Sequence, residues 1–344
     1  MEEIGTDFRA ESILDYCAEK LQYGANAMRG VMWNAQSRFM VTWGVLDCAA
    51  GSRWEKVMSV IQLIGGLCIG LPGQLLLGLS HRLQSREYTY WQGMGDVVSP
   101  GQERVMHLNT CMFPGSLPYH FGKQVPANER MEALATKVQE KHPELLFLCE
   151  FSPVFSQKLY EYLKGEYKHF FANIGSCALG MDASMTLISK VPILNAPRFI
   201  PTKISAEGDQ KGMYRGYFIV ETQTCKYLYA HLHAKDTERA KQIRKEQLDE
   251  IRSLTADSSK PWVILGDLNV DRNQPEYENL QGFNDIIHQQ HGKVTTCSED
   301  GVEESIDYVL TRDERLQVVT EVIQDLKLSD HSIITATISL AQKK

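Results

Sequence analysis

A chain of 344 residues, 43% hydrophobic and 23% charged, has the composition of an ordinary globular protein and is long enough for one large catalytic domain plus an extra segment. Its formal net charge of −7 argues against a chain built to grip many phosphates of a nucleic acid. The densest basic run, Arg239 to Arg252, is interleaved with acids and reads as a solvated helix face, and there is no low-complexity tract or internal repeat.

The N-terminal stretch MEEIGTDFRAE is acidic and lacks a positive region followed by an apolar core, so a cleavable signal peptide of the usual kind is not expected. The eight cysteines, at 17, 48, 68, 111, 149, 177, 225 and 297, form no C-x-x-C pair and no zinc-ligand spacing. Buried free thiols are expected, in a reducing compartment or in a fold that does not rely on disulfides.

Residues 1–100 are expected to form an N-terminal helical region around the apolar run Val57 to Leu79. That run carries no charge and matches the ~20 apolar residues of a membrane-spanning helix. Gln62, Gln74, Pro72 and five glycines weaken a simple span, and Pro72 is expected to kink or break a helix. A bent or re-entrant segment in one leaflet fits at least as well, and a buried hairpin of two core helices is the alternative. Arg53 and Lys56 precede the run and His81, Arg82 and Arg86 follow it, which assigns no orientation. Trp33, Trp43, Trp54, Tyr88, Tyr90 and Trp91 lie on either side, as interfacial aromatics would. Membrane contact is the favoured reading, and the expected location is membrane-associated or otherwise cytoplasmic.

From about Arg104 the texture becomes α/β. Strands are expected at Val105 to Thr110, Leu145 to Glu150, Ser184 to Ser189, Tyr214 to Glu221, Tyr227 to His231, Val263 to Leu265, Ile306 to Leu310 and Ile333 to Ile338. Helices are expected at Ala127 to His142 and Asp236 to Leu254, each with an apolar stripe. This mixture suggests two sheets packed face to face with helices outside.

The strongest local signal is WVILGDLNVD, 262–271, where an apolar strand ends at Gly266 and Asp267 and Asn269 follow. In an extended chain residues two apart point the same way, so an anion and an amide reach one site. Such a pair suits a phosphoryl centre, although Gly-Asp and Asn are also common turn residues. In SDHS, 329–332, His331 is a natural general base near neutral pH and Asp330 a natural hard-metal ligand. In SIDYVL, 305–310, Asp307 can hydrogen-bond a histidine and fix its tautomer. Asn109 ends VMHLNT and Glu150 ends LLFLCE; a carboxylate there needs a partner, a metal ion or a salt bridge. In YLYAHLHAK, His231 and His233 share one face of the expected strand, and His231 at its end is placed to meet a phosphate.

Taken in order, Asn109, Glu150, His231, GDLN (266–269), IDY (306–308) and SDH (329–331) resemble the endonuclease/exonuclease/phosphatase superfamily over about residues 104–340. The resemblance implies a four-layer α/β sandwich of two mainly antiparallel sheets flanked by helices. Several stretches look most like neutral sphingomyelinases: HLHAKDTERAKQIRKEQLDEI, TLISKVPI, GDQKGMYRGYF and PELLFLCEF, together with a hydrophobic region ahead of the catalytic domain and the following GLSHRLQSREYTYW. Cys149 stands before the glutamate where Gln or Asn is usual, His233 stands where Gln is usual, and the stretch from GDLN to IDY is short.

Carried over by position, the resemblance implies that Glu150 holds a divalent metal, Mg²⁺ with Mn²⁺ as a substitute, with Asn109 close to metal and phosphate. It implies that His331 takes a proton from the attacking water, that Asp307 orients its imidazole, and that Asp330 does so or approaches metal. Asp267 and Asn269 would position water and phosphate, and His231 would stabilise charge on the phosphoryl oxygens. The leading expectation is a sphingomyelinase-like phospholipid phosphodiesterase acting at a phospholipid or membrane surface, with no protein partner. A DNA or RNA nuclease is the alternative, ahead of an inositol-polyphosphate phosphatase and a non-enzymatic membrane adaptor.

Overall fold

The computed structural model describes residues 13–43, 51–84, 86–99, 101–114, 123–175, 183–206, 214–257, 259–299 and 301–341. The acidic N-terminus, Cys48, Cys177 and the GDQKGM stretch lie outside the described residues.

Two long helices come first, α1 (Ile13–Thr42) and α2 (Arg53–Leu83). A capping box starts α2: the Ser52 hydroxyl accepts from the Glu55 N–H at 3.3 Å, and the Glu55 carboxylate accepts from the Ser52 N–H at 2.6 Å. The helix runs on through Pro72, so the expected break does not occur. Proline withdraws one N–H from the ladder, and α2 crosses that gap while packed against α1 through the neighbouring Gly70 and Gly73. Glycines line the contact face of α2. A Cβ on Gly66 would lie 2.7 Å from Ala35 Cβ, and one on Gly73 would lie 2.8 Å from Met28 Cβ. Small residues at this spacing let two helix backbones approach closely. The opposite face of α2 turns Trp54, Ile61, Ile64, Leu71 and Leu75 outward. The helix is long and apolar enough to cross a membrane, with mean hydropathy 1.8 over its most apolar window and only 22% of that window buried.

The hairpin joins the rest of the chain through α1. Gln22, almost fully buried, donates to Gln84 at 2.7 Å and accepts from Asn173 at 3.1 Å and from the Thr89 hydroxyl. Thr89 opens β1 (Thr89–Gln92), which pairs antiparallel with β4 (His169–Ile174). Tyr88 and Tyr90 are therefore buried core residues rather than interfacial aromatics, and the sandwich takes in a strand that precedes residue 104. Trp54 and Trp43 remain exposed.

The other elements are β2 (Glu103–Met112), α3 (Ala127–Lys141), β3 (Leu145–Phe151), α4 (Pro153–Leu163), β5 (Met185–Ser189), β6 (Arg198–Pro201), β7 (Gly216–Glu221), β8 (Lys226–His231), α5 (Glu238–Leu254), β9 (Trp262–Asp267), β10 (Asn284–Asp285), α6 (Ile286–His291), β11 (Cys297–Glu299), β12 (Val302–Glu304), β13 (Asp307–Thr311), β14 (Leu316–Ile323) and β15 (Ile333–Leu340). The seven-stranded sheet has the order β1-β4-β5-β3-β2-β15-β14, and the six-stranded sheet β10-β13-β9-β8-β7-β6. Each is antiparallel except for one parallel pair, β2 with β3 and β8 with β9. Buried side chains of both inner faces form the central core, where Phe147 of β3 meets Tyr227 and Tyr229 of β8 with ring centroids 5.7 and 5.1 Å apart. Helices α3 and α4 cover the outer face of the first sheet, and α5 covers that of the second. This is the expected four-layer α/β sandwich, built because each strand alternates apolar faces that must both be covered.

The two parallel pairs matter most, because their carboxyl ends lie side by side and carry the polar residues that interrupt apolar strands. Gly266, at φ +140°, sits where a Cβ would collide with the Ala230 carbonyl oxygen of β8. We predict that Gly266→Ala loses at least about 3 kcal/mol of stability, because backbone cannot yield as a flexible side chain can. Chemical denaturation measures this; a midpoint equal to wild type would contradict it.

Candidate active site

The β-ladder itself assembles half of the site. His231 is paired with Asp267 across β8 and β9, and Asp267 with Asp307 across β9 and β13. The other half comes from the facing sheet, where Asn109 ends the regular part of β2 opposite Cys149, one residue before Glu150. The Asn109 amide bridges the sheets by donating to Asp267 Oδ2 at 2.9 Å. The chain leaves the strands through left-handed residues: Cys111 at φ 44°, Glu150 at φ 50° and Asn269 at φ 53°. For non-glycine residues this conformation costs roughly 1–2 kcal/mol each, and its concentration here marks a site whose geometry overrides local preference.

Asn269 shows how the GDLN turn works. Extended geometry would have sent Asp267 and Asn269 the same way; the left-handed backbone at Asn269 instead folds its N–H back onto Asp267 Oδ1 at 2.9 Å. The Asn269 amide then donates to the Leu232 carbonyl at 3.2 Å, tying the turn after β9 to the one after β8. The HLHA segment is held in the same way from α5. Arg244 donates to the carbonyls of His233 and Lys235 at 3.0 and 2.6 Å, and the Gln247 side chain accepts from the His233 N–H at 3.1 Å. Strand β8 ends at His231, so His233 lies beyond it, fully buried, instead of sharing a strand face.

His331 donates from Nδ1 to Asp307 Oδ2 at 2.8 Å, which leaves Nε2 turned toward Asp267 Oδ2 at 3.9 Å. Burial disfavours a charged ring, but Asp307, with help from Cys297 and Asp267, outweighs it and holds the His331 pKa well above the ordinary histidine range. Burial would raise Asp307 too, yet His331 and His107 hold its carboxyl below the usual range. The serine of SDHS organises this segment: Ser329 Oγ donates to the Asn109 carbonyl at 2.7 Å and accepts from the His331 N–H at 3.2 Å.

Glu150 and Asp330 complete the cluster. Burial, then the charges of Asp330 and Asp267, push the Glu150 carboxyl up to about 7 against the partial relief of His331 and Arg215. His231 Nε2 lies 3.5 Å from Glu150 Oε1 and 3.6 Å from Asp267 Oδ2 and makes no hydrogen bond. Burial, Arg215 and His331 hold the His231 pKa well below the usual value, so the ring is neutral. Among the described residues no three His, Cys, Asp or Glu side chains stand in a ready ligand set. The donor chemistry nevertheless fits a hard cation, because a desolvated, crowded carboxylate and amide oxygens are what Mg²⁺ and Mn²⁺ prefer.

All eight residues singled out in the sequence, Asn109, Glu150, His231, Asp267, Asn269, Asp307, Asp330 and His331, fall in this one cluster. Three others belong with it. His107 is bonded to Asp307, Arg215 donates to the His231 carbonyl at 3.1 Å, and Arg130 clamps the carbonyls of Thr110, Cys111 and Leu328. His107 was within reach of the period-two argument, being two residues before Asn109 on the same strand; the two arginines give no local signal. The thiols of Cys111 and Cys149 beside the site are pushed well up by burial and stay protonated, while Cys17 and Cys68 are exposed rather than buried.

Residues 106–331 match the Endonuclease/Exonuclease/phosphatase family, and the chain belongs to it. No curated protein matches the chain in sequence. Solved structures similar in fold include sphingomyelinase C from Streptomyces griseocarneus, 17% identical over 70% of this chain and 99% of that one, with a TM-score of 0.54. A mutant beta toxin from Staphylococcus aureus, solved with bound magnesium ions, is 20% identical over 68% and 99%, with a TM-score of 0.55. A humanized D. rerio TDP2 is 17% identical over 70% and 100%, with a TM-score of 0.51.

The Glu150 carboxyl binds its proton more tightly in the folded chain than in the unfolded one. Its contribution to stability is therefore present at acid pH and is lost as pH rises from about 4.5 through about 7. We predict that metal-free Glu150→Gln is more stable than wild type at pH 8 by about 2–3 kcal/mol, with the difference vanishing near pH 4.5. Denaturation across pH reads this directly, and a wild type at least as stable as the variant at pH 8 would contradict it.

Proposed function

We propose that this member of the endonuclease/exonuclease/phosphatase family is a Mg²⁺-dependent phosphodiesterase that releases the head group of a phospholipid at a membrane surface, in the manner of a sphingomyelinase. The observation that carries the reading is the joining of this site to α2, whose outward apolar face is uncovered and whose partner α1 is bonded through Gln22 into the catalytic sandwich. Apolar anchoring concentrates an enzyme on lipid without a basic surface, which suits a chain of net charge −7. A nuclease has the opposite need, because phosphate attraction supplies most non-specific affinity for nucleic acid.

Glu150 and Asn109, with Asp330 beside them, would hold the divalent ion. Bound there, it would act as a Lewis acid on the phosphodiester and offset charge in the transition state. The protein supplies the rest. His331 is fixed by Asp307 through Nδ1, so its Nε2 is the atom that takes the proton of the attacking water, once that ring is neutral. Asp267, itself held by Asn109 and by the Asn269 N–H, orients the water near that nitrogen. Neutral His231 donates from its uncommitted Nε2 to a phosphoryl oxygen. Asn269 uses one amide hydrogen on Leu232 and keeps the second for the phosphate.

The test is a parallel assay of the full-length chain with Mg²⁺ on sphingomyelin vesicles, other phospholipid vesicles, and abasic and single-stranded DNA. Head-group release is expected, lost in excess chelator and reduced at least about 100-fold in His331→Ala. Robust cleavage of DNA with no lipid turned over would overturn the reading.

A further inference from the structure

Asp307 accepts from two imidazoles, not one. His331 Nδ1 occupies Oδ2 at 2.8 Å, and His107 Nε2 occupies Oδ1 at 2.8 Å. His107 is 1% exposed, Asp307 is fully buried, and the other ring nitrogen of His107 meets the Tyr229 hydroxyl at 3.2 Å. The backbone of Asp307 is equally committed. Its N–H donates to Thr296 Oγ1 at 3.0 Å, and its carbonyl accepts from Arg272 at 2.7 Å. Arg272 is in turn paired with the buried carboxylate of Asp285 at 2.7 Å. No motif of the site requires His107, and a core strand facing the second sheet has no general use for a buried imidazole.

The geometry points to His107 as a positioning residue for His331, acting through Asp307 and itself set by Tyr229. The chain of donors has one direction. The Tyr229 hydroxyl donates to His107 Nδ1, His107 Nε2–H donates to Asp307 Oδ1, and His331 Nδ1–H donates to Oδ2. With both oxygens taken, the carboxylate is held in one orientation, and once the His331 ring is neutral its remaining proton stays on Nδ1. The working nitrogen is then Nε2 in every turnover. A carboxylate with one free oxygen could swing and accept through either atom, so His331 would sample orientations in which Nε2 does not face Asp267. His107 thus comes from the seven-stranded sheet to fix a carboxylate of the six-stranded one, and the alignment of the base depends on how the two sheets meet.

This inference rests on the reading of His331 as general base, and the experiment separates the two. The full-length chain is assayed with Mg²⁺ on bis(4-nitrophenyl) phosphate as wild type, His107→Phe, His107→Gln and His331→Ala, alone and combined. The glutamine amide reaches about where Nε2 stands and keeps the donor to Asp307, whereas phenylalanine does not. His107→Phe is expected to lower kcat about 10- to 100-fold with little change in KM. His107→Gln should recover to within about threefold of wild type, and His107→Phe should add nothing to His331→Ala. Full activity of His331→Ala would remove the general-base reading. The positioning claim is read independently from the imidazole N–H protons of the metal-free protein by NMR: His107→Phe should displace the His331 Nδ1–H resonance, and His107→Gln should return it. An unmoved resonance, or a glutamine variant no better than phenylalanine in both kcat and resonance, would overturn the assignment.

Discussion

Burial of several carboxylates beside one another governs the site. Glu150 and Asp330 come from the end of one sheet and Asp267 and Asp307 from the end of the other; the three aspartates are buried and Glu150 is half-buried, so little water screens them. Such a cluster persists only when each member is answered. Asp307 is answered by two imidazoles and stays ionised. Asp267 is answered in part, by the Asn109 amide and the Asn269 N–H, and burial still raises it. Glu150 is answered least: burial, then the charges of Asp330 and Asp267, push its carboxyl up to about 7 against His331 and Arg215. A divalent cation is the partner that would answer it, and metal binding and proton release are then one process.

The scaffold exists to keep that crowding in place. The left-handed residues at Cys111, Glu150 and Asn269, and the buried ion pairs Arg272–Asp285 and Arg244–Glu276, lie next to the site and hold loops that would otherwise relax away from one another. The hairpin of α1 and α2 obeys different physics. Its stability comes from close backbone approach along glycines, and its outer face gains nothing from water. The polar junction of Gln22, Gln84, Thr89 and Asn173 joins the two regions, and loss of a partner there would be costly because Gln22, Thr89 and Asn173 are buried.

Much of this was legible in the sequence, for a physical reason. A polar residue that ends an apolar strand must be satisfied, so Asn109, Glu150, His231 and Asp267 stood out, Asp307 was marked as a partner for a histidine, and SDHS opened the last long strand. The sandwich followed from the strand list, although β1, β4, β6, β10, β11, β12 and β14 were not foreseen. The strand β4 reads HFFANI, a short apolar run that periodicity cannot separate from a helix segment. Composition could not tell that Tyr88 and Tyr90 are core aromatics while Trp54 is exposed, because aromatic side chains serve both places. Pro72 suggested a break, but α2 runs through it, packed against α1. Left-handed backbone at Glu150 and Asn269 is fixed by tertiary contacts and leaves no local trace. His107 was visible but unclaimed, since a lone strand histidine is more often structural.

The central claim is that burial and the neighbouring carboxylates of Asp330 and Asp267 raise the Glu150 carboxyl in the metal-free protein, so that a cation binding there displaces a proton. Titration calorimetry of the full-length metal-free protein with Mg²⁺ at pH 7, repeated in two buffers of different ionisation enthalpy, tests it most directly. Wild type should release protons on binding, because burial and the neighbouring carboxylates raise the Glu150 carboxyl to about 7, and Glu150→Gln should bind more weakly and release less. Mg²⁺ binding with no proton release, or equal affinity in the glutamine variant, would contradict the account.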